Sequence, residues 1–307
     1  MKAKTKILNK LTGINVIAKP PLPIVIDTLG GGLGNRIKCM LAGLRADPEA
    51  KFIWNRIVHF DCQLHDLFAE DLETTQKAGL NFAEKNWASW RLQLFEDDPL
   101  HPNMIRPLSH CHVTGTPGYR PLRPYTASGL DGIYDHMPEV YRSQILRLMP
   151  KLRPQADIIE LAENLVRDFD QNTVSVHYRT FYDHPARARH MGDLTYKFYR
   201  AMDAMDHANF FVCTDSEETT QKFIKRYGKQ IVGVGSPPKA KGAARAKQDF
   251  ASLLALGKAD TMIVTDGSSF TEAGWYYGGC KAKVIQIKAS GIRMYFRKLW
   301  GSKYNPI

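Results

Sequence analysis

NFFVCTDSEETTQKFIKRYG, at residues 209–228, joins a strand to a helix in one short stretch and so decides the fold. The apolar run 209–214 is typical of a buried strand. Ser216 can cap a helix, acidic residues follow it, basic residues come near the end, and Gly228 closes the pattern. Because each of these features favours a helix in that position, we predict a helix over 216–228.

Strands and helices alternate in this way from residue 154 to residue 288. The further strands that we expect are 173–179 (TVSVHYR), 231–235 (IVGVG), 261–266 (TMIVTD) and 282–288 (AKVIQIK), and the further helices are 154–169, 194–206, 244–259 and 272–279. Short connections between alternating elements predict a parallel sheet covered by helices on both faces. The sequence therefore indicates the α/β class for this half.

The N-terminal half begins with a unit of the same type. PIVIDT at 23–28 is of strand type, a glycine-rich turn follows at 30–36, and IKCMLAGLRA at 37–46 has apolar residues at helical spacing. KFIWN at 51–55 resembles a second strand. From about 85 to 135 the periodicity is lost among prolines, aromatic residues and histidines, and we predict a binding surface there.

The length and the change in pattern indicate two domains. At about 150 residues per domain, 307 residues suffice for two hydrophobic cores. We place an N-terminal domain at 1–150, which ends in a helix over 138–149, a C-terminal domain at 151–290, and a C-terminal helix or tail at 291–307.

Charge and cysteine content narrow the possible partners. The chain carries 42 Lys and Arg against 31 Asp and Glu, a net charge of +11, which favours nucleic acid, anionic lipid or a phosphorylated small molecule. Its five cysteines form no C-x-x-C pair. This argues against a disulfide framework or a zinc knuckle and favours a reducing compartment.

The N-terminal residues bear on where in the cell the protein is found. They lack the apolar core of a secretory signal, and no segment approaches the roughly 20 apolar residues of a membrane span. We therefore expect a cytoplasmic protein. Lys2, Lys4, Lys6 and Lys10 leave two alternatives open, a solvated tail and a peripheral contact with the inner face of the membrane.

Polar residues stand at the ends of three predicted strands of the C-terminal half. They are His177-Tyr178-Arg179, Thr214-Asp215 and Asp266-Gly267-Ser268-Ser269. Because α/β proteins bind ligands outside the carboxyl ends of their parallel strands, we expect a site there. Helix capping is the alternative explanation for Thr214, Asp215 and Ser216.

These residue types suit a nucleoside diphosphate. Arg179 can donate two parallel hydrogen bonds to phosphate oxygens. Ser268 and Ser269 precede a short helix, whose free N–H groups bind anions. Asp249, in the helix before the fourth strand, could accept paired N–H groups from a base such as guanine.

The glycine-rich turn matches neither common nucleotide motif. Asn35 stands where G-x-G-x-x-G requires its third glycine, and no Lys-Ser or Lys-Thr follows the turn as a P-loop requires. The unit is still a strand, a turn and a helix whose backbone can approach a ligand closely, with Asn35 and Arg36 as possible donors.

Three short motifs together resemble the motif set of the fucosyltransferase superfamily, which includes α1,2-, α1,6- (nodulation-type) and protein O-fucosyltransferases. They are G-G-x-G-N-R at 31–36, H-x-R at 177–179, and S-S-F at 268–270 followed by Trp275. The resemblance implies a GT-B architecture, in which two Rossmann-like domains with parallel sheets face a cleft. It also implies inverting, metal-independent transfer from a GDP-sugar, GDP-fucose, to a hydroxyl of a glycan or lipid-linked acceptor, without a cofactor.

The same resemblance implies roles for individual residues. Arg179 would hold the β-phosphate and act in catalysis, His177 would lie beside the nucleoside, and Asp249 would contact guanine. The remaining donor-site residues would be Gly31, Gly32, Gly34, Asn35, Asp215, Ser268, Ser269 and Phe270. Family members often continue as H-x-R-x-x-D, whereas Asp183 falls one residue late here. Asp183 and Asp193 are the candidates for the base that takes the acceptor proton.

Two patterns could indicate a metal, and each has a simpler explanation. His110-Cys111-His112 has no third ligand at a usable spacing and is typical of an exposed loop. Asp168-Phe169-Asp170 matches the D-x-D of metal-dependent glycosyltransferases of the other main fold, but it follows a predicted helix instead of a strand. We expect no metal.

Two other functions compete with glycosyl transfer. The net charge would suit a nucleic-acid-binding protein, but the basic residues are spread along the chain and match no recognised binding motif. A Rossmann-type dehydrogenase, or a nucleotide-binding protein without transferase activity, would be expected to have the third glycine that this chain lacks.

Overall fold

The computed structural model describes residues 14–17, 25–27, 32–46, 48–54, 56, 60–69, 72, 88–92, 112–114, 122–124, 134, 137, 139–181, 185–235 and 241–288. Gly31 and Asp183, two of the predicted site residues, lie outside the described residues. The N-terminal lysines, the first two residues of His110-Cys111-His112 and the predicted tail at 291–307 also lie outside them.

The first sheet has six short strands. They are β1 (Ile14–Ile17), β2 (Val25–Asp27), β3 (Lys51–Ile53), β4 (Ala88–Leu92), β5 (His112–Thr114) and β6 (Leu122–Pro124), in the order β1-β4-β6-β5-β2-β3. β5 runs antiparallel to both of its neighbours, and the other pairs are parallel. Helix α1 (Leu33–Ala46) lies between β2 and β3 in the chain.

The second sheet has five strands, and all of its neighbours are parallel. They are β7 (Thr173–Tyr178), β8 (Asn209–Thr214), β9 (Ile231–Gly235), β10 (Thr261–Thr265) and β11 (Lys283–Ile287), in the order β11-β10-β7-β8-β9. This is the doubly wound order, in which the chain starts in the middle, builds one side and then crosses to the other. The crossing point lies between β7 and β10.

Helices precede and connect these strands. They are α2 (Glu139–Leu148), α3 (Ala156–Leu165), α4 (Pro185–Met191), α5 (Thr195–Asp203), α6 (Glu217–Tyr227), α7 (Gly242–Leu256) and α8 (Ser269–Tyr277). α6 begins as the sequence predicts, because the Ser216 hydroxyl accepts a hydrogen bond from the backbone N–H of Thr219.

The predicted alternation over 154–288 is confirmed element by element, since each expected strand and helix is present within a few residues of its predicted bounds. α4 is an additional helix that the sequence did not predict, because PARARHM lacks a periodic apolar pattern. The α/β class is therefore correct, and the second sheet is parallel as expected.

The first sheet differs from the prediction in three respects. β4, β5 and β6 lie inside 85–135, where no regular element was predicted, and β1 lies upstream of the first predicted strand. β5 is antiparallel, so the first sheet is mixed. Strands of three to five residues offer too few positions for an alternating pattern to be recognised.

The start of the first helix also differs from the prediction, because α1 begins at Leu33, inside the glycine-rich turn.

One apolar core joins parts of both halves. Buried residues of α1, such as Ile37 and Met40, belong to the same cluster as Leu253 of α7 and Trp275 of α8. A second cluster, with Phe198 and others, covers the opposite face of the second sheet. Burial of each large side chain contributes about 1.5–3 kcal/mol, so α1 is anchored on the C-terminal half. In the described part of the chain, no helix has the length and apolar character needed to cross a bilayer.

Candidate functional site

The carboxyl edge of the second sheet brings together the polar strand ends that the sequence singled out. His177 of β7 pairs with Val264 of β10, so the ends of these two strands lie side by side. This is the point at which the strand order reverses, where connections leave in opposite directions and open a crevice for a ligand. Arg179 follows β7, and Ser268 and Ser269 follow β10.

His177 is buried beside the first turn of α8. Its Nδ1 lies 2.6 Å from the Thr271 hydroxyl and 3.5 Å from that of Ser268, and its ring lies 5.1 Å from that of Phe270. Burial, with a smaller contribution from the charge of Arg179, lowers the pKa of His177 to about 3. The imidazole is therefore uncharged at neutral pH.

Arg179 is held from two sides. Its backbone N–H donates to the Thr265 hydroxyl at 3.0 Å, which ties the end of β7 to the end of β10. Its Nη1 donates to Oδ2 of Asp215 at 2.6 Å, and its guanidinium lies 5.3 Å from the centre of the Phe181 ring. The side chain keeps 27% of its surface exposed, so it can still reach a ligand.

Asp215 organises the turn that carries Arg179. Its carboxylate also accepts from the Thr180 N–H at 2.7 Å, the Thr180 hydroxyl at 2.8 Å and the Phe181 N–H at 3.0 Å. Phe181 has a φ of 59°, a left-handed conformation that costs energy for a bulky residue. The capping explanation holds for Ser216, whereas the Asp215 carboxylate binds residues 179–181 instead.

The first turn of α8 lies next to His177. The first N–H groups of a helix have no intrahelical acceptor, and the Ser268 side chain makes no capping hydrogen bond here. Gly267, with a φ of 72°, allows the sharp turn from β10 into the helix. N–H groups at a helix N-terminus and serine hydroxyls are donors of the kind that bind anions.

α1 places a second helix N-terminus at the same point. A Cβ added to Gly34 would lie 2.3 Å from the Ser269 carbonyl oxygen and 2.5 Å from the Phe270 nitrogen. Only glycine permits this approach, so the glycine-rich motif serves helix packing at this position. Gly32 is exposed and faces open space, and Asn35 is half-buried in the same first turn.

The sequence offered Arg36 as a possible donor to the ligand, and its burial argues against this. It is 1% exposed, and its guanidinium lies 4.5 Å from the ring centres of both Trp54 and Phe60. A guanidinium this close to an aromatic ring makes a cation–π contact. Arg36 therefore stabilises the N-terminal half beneath the site.

Asp249 lies on α7 as predicted, but it is paired. Nε of Arg245 donates to both of its carboxylate oxygens at 3.0 Å, and about a quarter of the Asp249 side chain is exposed. Burial is the main cause of the raised pKa of the Cys213 thiol, and the charges of Asp249 and Asp215 add to it. The negative charges of both carboxylates are therefore close enough to affect Cys213, near the carboxyl end of β8.

Asp193 has a structural role. It accepts from the Thr195 N–H at 2.8 Å and from the Tyr178 hydroxyl at 3.2 Å, and a hydrogen bond from the Thr195 side chain is the main cause of its lowered pKa. Successive side chains of a strand face opposite sides of the sheet. Asp193, bound to Tyr178, therefore lies on the other side from His177, which argues against it as the base.

The D-x-D pattern is also structural. Asp170 precedes β7, at the opposite edge of the sheet from His177, and it accepts hydrogen bonds from Thr173 and Asn209 at 2.9 Å. Within the described ranges, no group of three or more His, Cys, Asp or Glu side chains is arranged to hold a metal ion.

Sequence reasoning missed four residues of this region. Thr265 and Thr271, which orient Arg179 and His177, are inconspicuous as single threonines. Lys38 and Glu272 form an ion pair between α1 and α8, and no local pattern connects residues so far apart in the chain. Their positions inside apolar helix faces were the one available signal, because a charge there requires a partner.

This fold and edge define a class: a doubly wound α/β protein whose switch point carries a set of polar side chains. No protein-family model and no curated protein matches the sequence. Solved structures do match. A mutant of Arabidopsis thaliana FUT1 in complex with GDP is 14% identical, with 95% of this chain and 76% of that chain covered and a TM-score of 0.53.

Fucosyltransferase NodZ from Bradyrhizobium is 12% identical, with 89% of this chain and 94% of that chain covered and a TM-score of 0.50. At these identities the likeness concerns the fold. The chain therefore has the GT-B type of fold found in the fucosyltransferases, as its motifs predicted.

Proposed function

We propose that the protein is an inverting, metal-independent glycosyltransferase that transfers fucose from GDP-fucose to a hydroxyl of a glycan or lipid-linked acceptor. One observation carries the proposal. Arg179, held by Asp215, stands at the switch point together with uncharged His177 and the first turn of α8. The likeness in fold to FUT1, whose structure contains GDP, supports the choice of nucleotide.

The arrangement suits the departure of a nucleoside diphosphate. As the bond between the sugar carbon and the β-phosphate oxygen breaks, negative charge grows on the phosphate and the sugar becomes oxocarbenium-like. Arg179 and the N–H groups of Ser269 and Phe270 would stabilise that negative charge. Preorganised donors of this kind typically contribute about 3–4 kcal/mol each.

His177 would contribute a hydrogen bond without adding charge. Because its Nδ1 is 2.6 Å from the Thr271 hydroxyl, donation by that hydroxyl would leave the ring proton on Nε2. In the part of the chain that the structure describes, Nε2 has no protein hydrogen-bond partner. It would therefore donate to the ribose or to a phosphate oxygen.

Asp249 would recognise the base. A carboxylate fits the adjacent N–H donors of guanine, and Arg245 holds both of its oxygens in one orientation. Uracil lacks that pair of donors, so GDP-sugars should be preferred to UDP-sugars. We propose Asp183 as the base for the acceptor hydroxyl. Inversion requires that this hydroxyl attack the sugar from the side opposite the departing phosphate.

Ligand-dependent melting tests the choice among functions. A ligand that binds only the native state raises the melting temperature. We expect GDP to raise it, and UDP, NAD and duplex DNA to leave it unchanged. If DNA raises it in a strongly salt-dependent manner and GDP does not, the protein binds nucleic acid instead. A response to NAD alone would indicate a dehydrogenase.

Donor hydrolysis tests the reaction itself. GDP-fucose should be hydrolysed slowly without an acceptor, and an excess of EDTA should leave the rate unchanged. Loss of the rate in EDTA that added Mn²⁺ restores would overturn the metal-independent mechanism while leaving the donor site intact.

A further inference from the structure

A buried ion pair lies directly beneath the anion-binding turn. The Lys38 ammonium on α1 contacts the Glu272 carboxylate on α8, and the two side chains are only 2% and 4% exposed. Lys38 follows Gly34 by one turn of α1, and Glu272 follows Ser269 by one turn of α8. The pair therefore belongs to the same interface as the close approach of Gly34 to Ser269.

Glu272 by itself would work against an anionic ligand. An acid in the first turn of a helix satisfies the positive end of the helix dipole, and a diphosphate at Ser269 would compete for the same positive potential. Lys38 offsets that carboxylate. Because the two charged groups contact each other between α1 and α8, one turn beyond Gly34 and Ser269, we argue their effect through the local electrostatic potential.

We infer that Lys38 is a charge-balancing residue that keeps the first turn of α8 attractive to a diphosphate despite Glu272. The inference rests on the proposed function, since it concerns the phosphate end of the same site. It differs from a purely structural role in one respect: loss of the lysine and loss of the glutamate change phosphate affinity in opposite directions.

The test measures Kd for GDP by titration calorimetry in Lys38→Met and Glu272→Gln. We expect Kd to rise about tenfold in the first, where the Glu272 carboxylate loses the charge of Lys38, and to fall in the second. The double variant Lys38→Met/Glu272→Gln, which has neither charge, should bind within about threefold of the wild type. Guanosine, which has no phosphate, serves as the neutral control ligand, and its Kd should be the same in all four proteins.

Some results would overturn the inference. If both single variants weaken GDP binding, or if guanosine weakens by the same factor as GDP, the pair only supports the fold. Unchanged GDP binding in folded Lys38→Met has the same consequence. Should Lys38→Met fail to fold, Glu272→Gln and the double variant decide, since weakened binding in either contradicts the charge argument.

A failure of the proposed function can be distinguished from a failure of the role inferred for Lys38. If the wild-type protein binds no GDP, that function is wrong, and inorganic pyrophosphate replaces GDP in the same series. Normal wild-type GDP binding together with identical Kd values in the variants rejects the role of Lys38 alone.

Discussion

Two regions of the C-terminal half contain nearly the same ion pair in different surroundings. At the carboxyl edge of the second sheet, Arg179 and Asp215 are 2.6 Å apart, and the Asp215 side chain is 8% exposed. On the outer face of α5 and α6, Arg226 and Asp203 are 2.7 Å apart, and each is 45% exposed. Both arginines also lie over an aromatic ring, that of Phe181 or Tyr199.

The difference lies in what else each carboxylate holds. Asp215 accepts three further hydrogen bonds from Thr180 and Phe181 and so fixes a turn in a left-handed conformation. Asp203 accepts from the Tyr227 hydroxyl on the surface. Exposed pairs contribute little to stability or positioning. Burial and cross-strand contacts, more than the pair itself, distinguish the arginine that we assign to the proposed site.

Replacement of Arg179 should give the largest effect. Arg179→Ala removes the charge that faces the departing phosphate, and we expect donor hydrolysis to fall about 100- to 1000-fold. Arg226→Ala is the matched control, since it loses a pair of the same length on the surface, and its rate should match the wild type. The rates are measured with GDP-fucose at saturation, on proteins whose circular dichroism spectra agree.

Equal rates in Arg179→Ala and Arg226→Ala would remove the distinction between the two regions, and with it the assignment of the site to the switch point.

Gly34→Ala should have the next largest effect, on stability. Its Cβ would lie 2.3 Å from a backbone oxygen of Ser269, so α1 and the first turn of α8 must separate, at a cost of about 3 kcal/mol. Gly32→Ala is the control, because its Cβ would meet open space. Urea unfolding of both variants measures the difference. A stable Gly34→Ala protein would mean that α1 does not hold this turn in place.

The prediction of the fold succeeded where the chemical pattern is local. Ser216 with the acids after it, the alternating apolar residues of β7 and the apolar runs of β8 and β10 identify their elements without any tertiary information. β4 and β6 could not be found in this way. They are short, and their pairing joins segments more than 25 residues apart in the chain, so only the folded sheet explains their conformation.

The site was predictable only in part, for the same reason. His177, Arg179 and Ser268 lie together at one edge of the sheet as predicted, because each follows or ends a strand of a doubly wound sheet. The burial of Arg36 was not predictable, because its motif gave no sign that Trp54 and Phe60 pack against it. Thr265 and Thr271 act through contacts across the sheet, which the order of residues along the chain does not record.

A smaller effect concerns the pH dependence of stability. In the unfolded chain a histidine has a pKa near 6.5, whereas the folded-state pKa of His177 is about 3. Between these values the unfolded state binds the extra proton, so stability is complete above about pH 6.5 and falls by about 1.4 kcal/mol per pH unit as the pH drops towards 3.

His177→Gln should remove this loss of stability at acidic pH, which amounts to about 2 kcal/mol at pH 5. The measurement is urea unfolding at pH 5 and pH 7, compared with the wild type and with His65→Gln, which replaces an exposed histidine. The same pH dependence in His177→Gln as in the wild type would show that the carboxyl edge does not exclude a charged imidazole.

Asp215→Asn should give the smallest effect and the sharpest comparison of the two ion pairs. The amide can still accept from Thr180 through its oxygen, but its NH2 group would face two donors, Nη1 of Arg179 and the N–H of Phe181. The turn should loosen without unfolding the protein, and kcat should fall about tenfold, the equivalent of about 1.4 kcal/mol, with a smaller change in KM. Asp203→Asn should leave both constants unchanged. An unchanged kcat in Asp215→Asn would mean that Arg179 needs no fixed orientation, and the two pairs would then differ only in location.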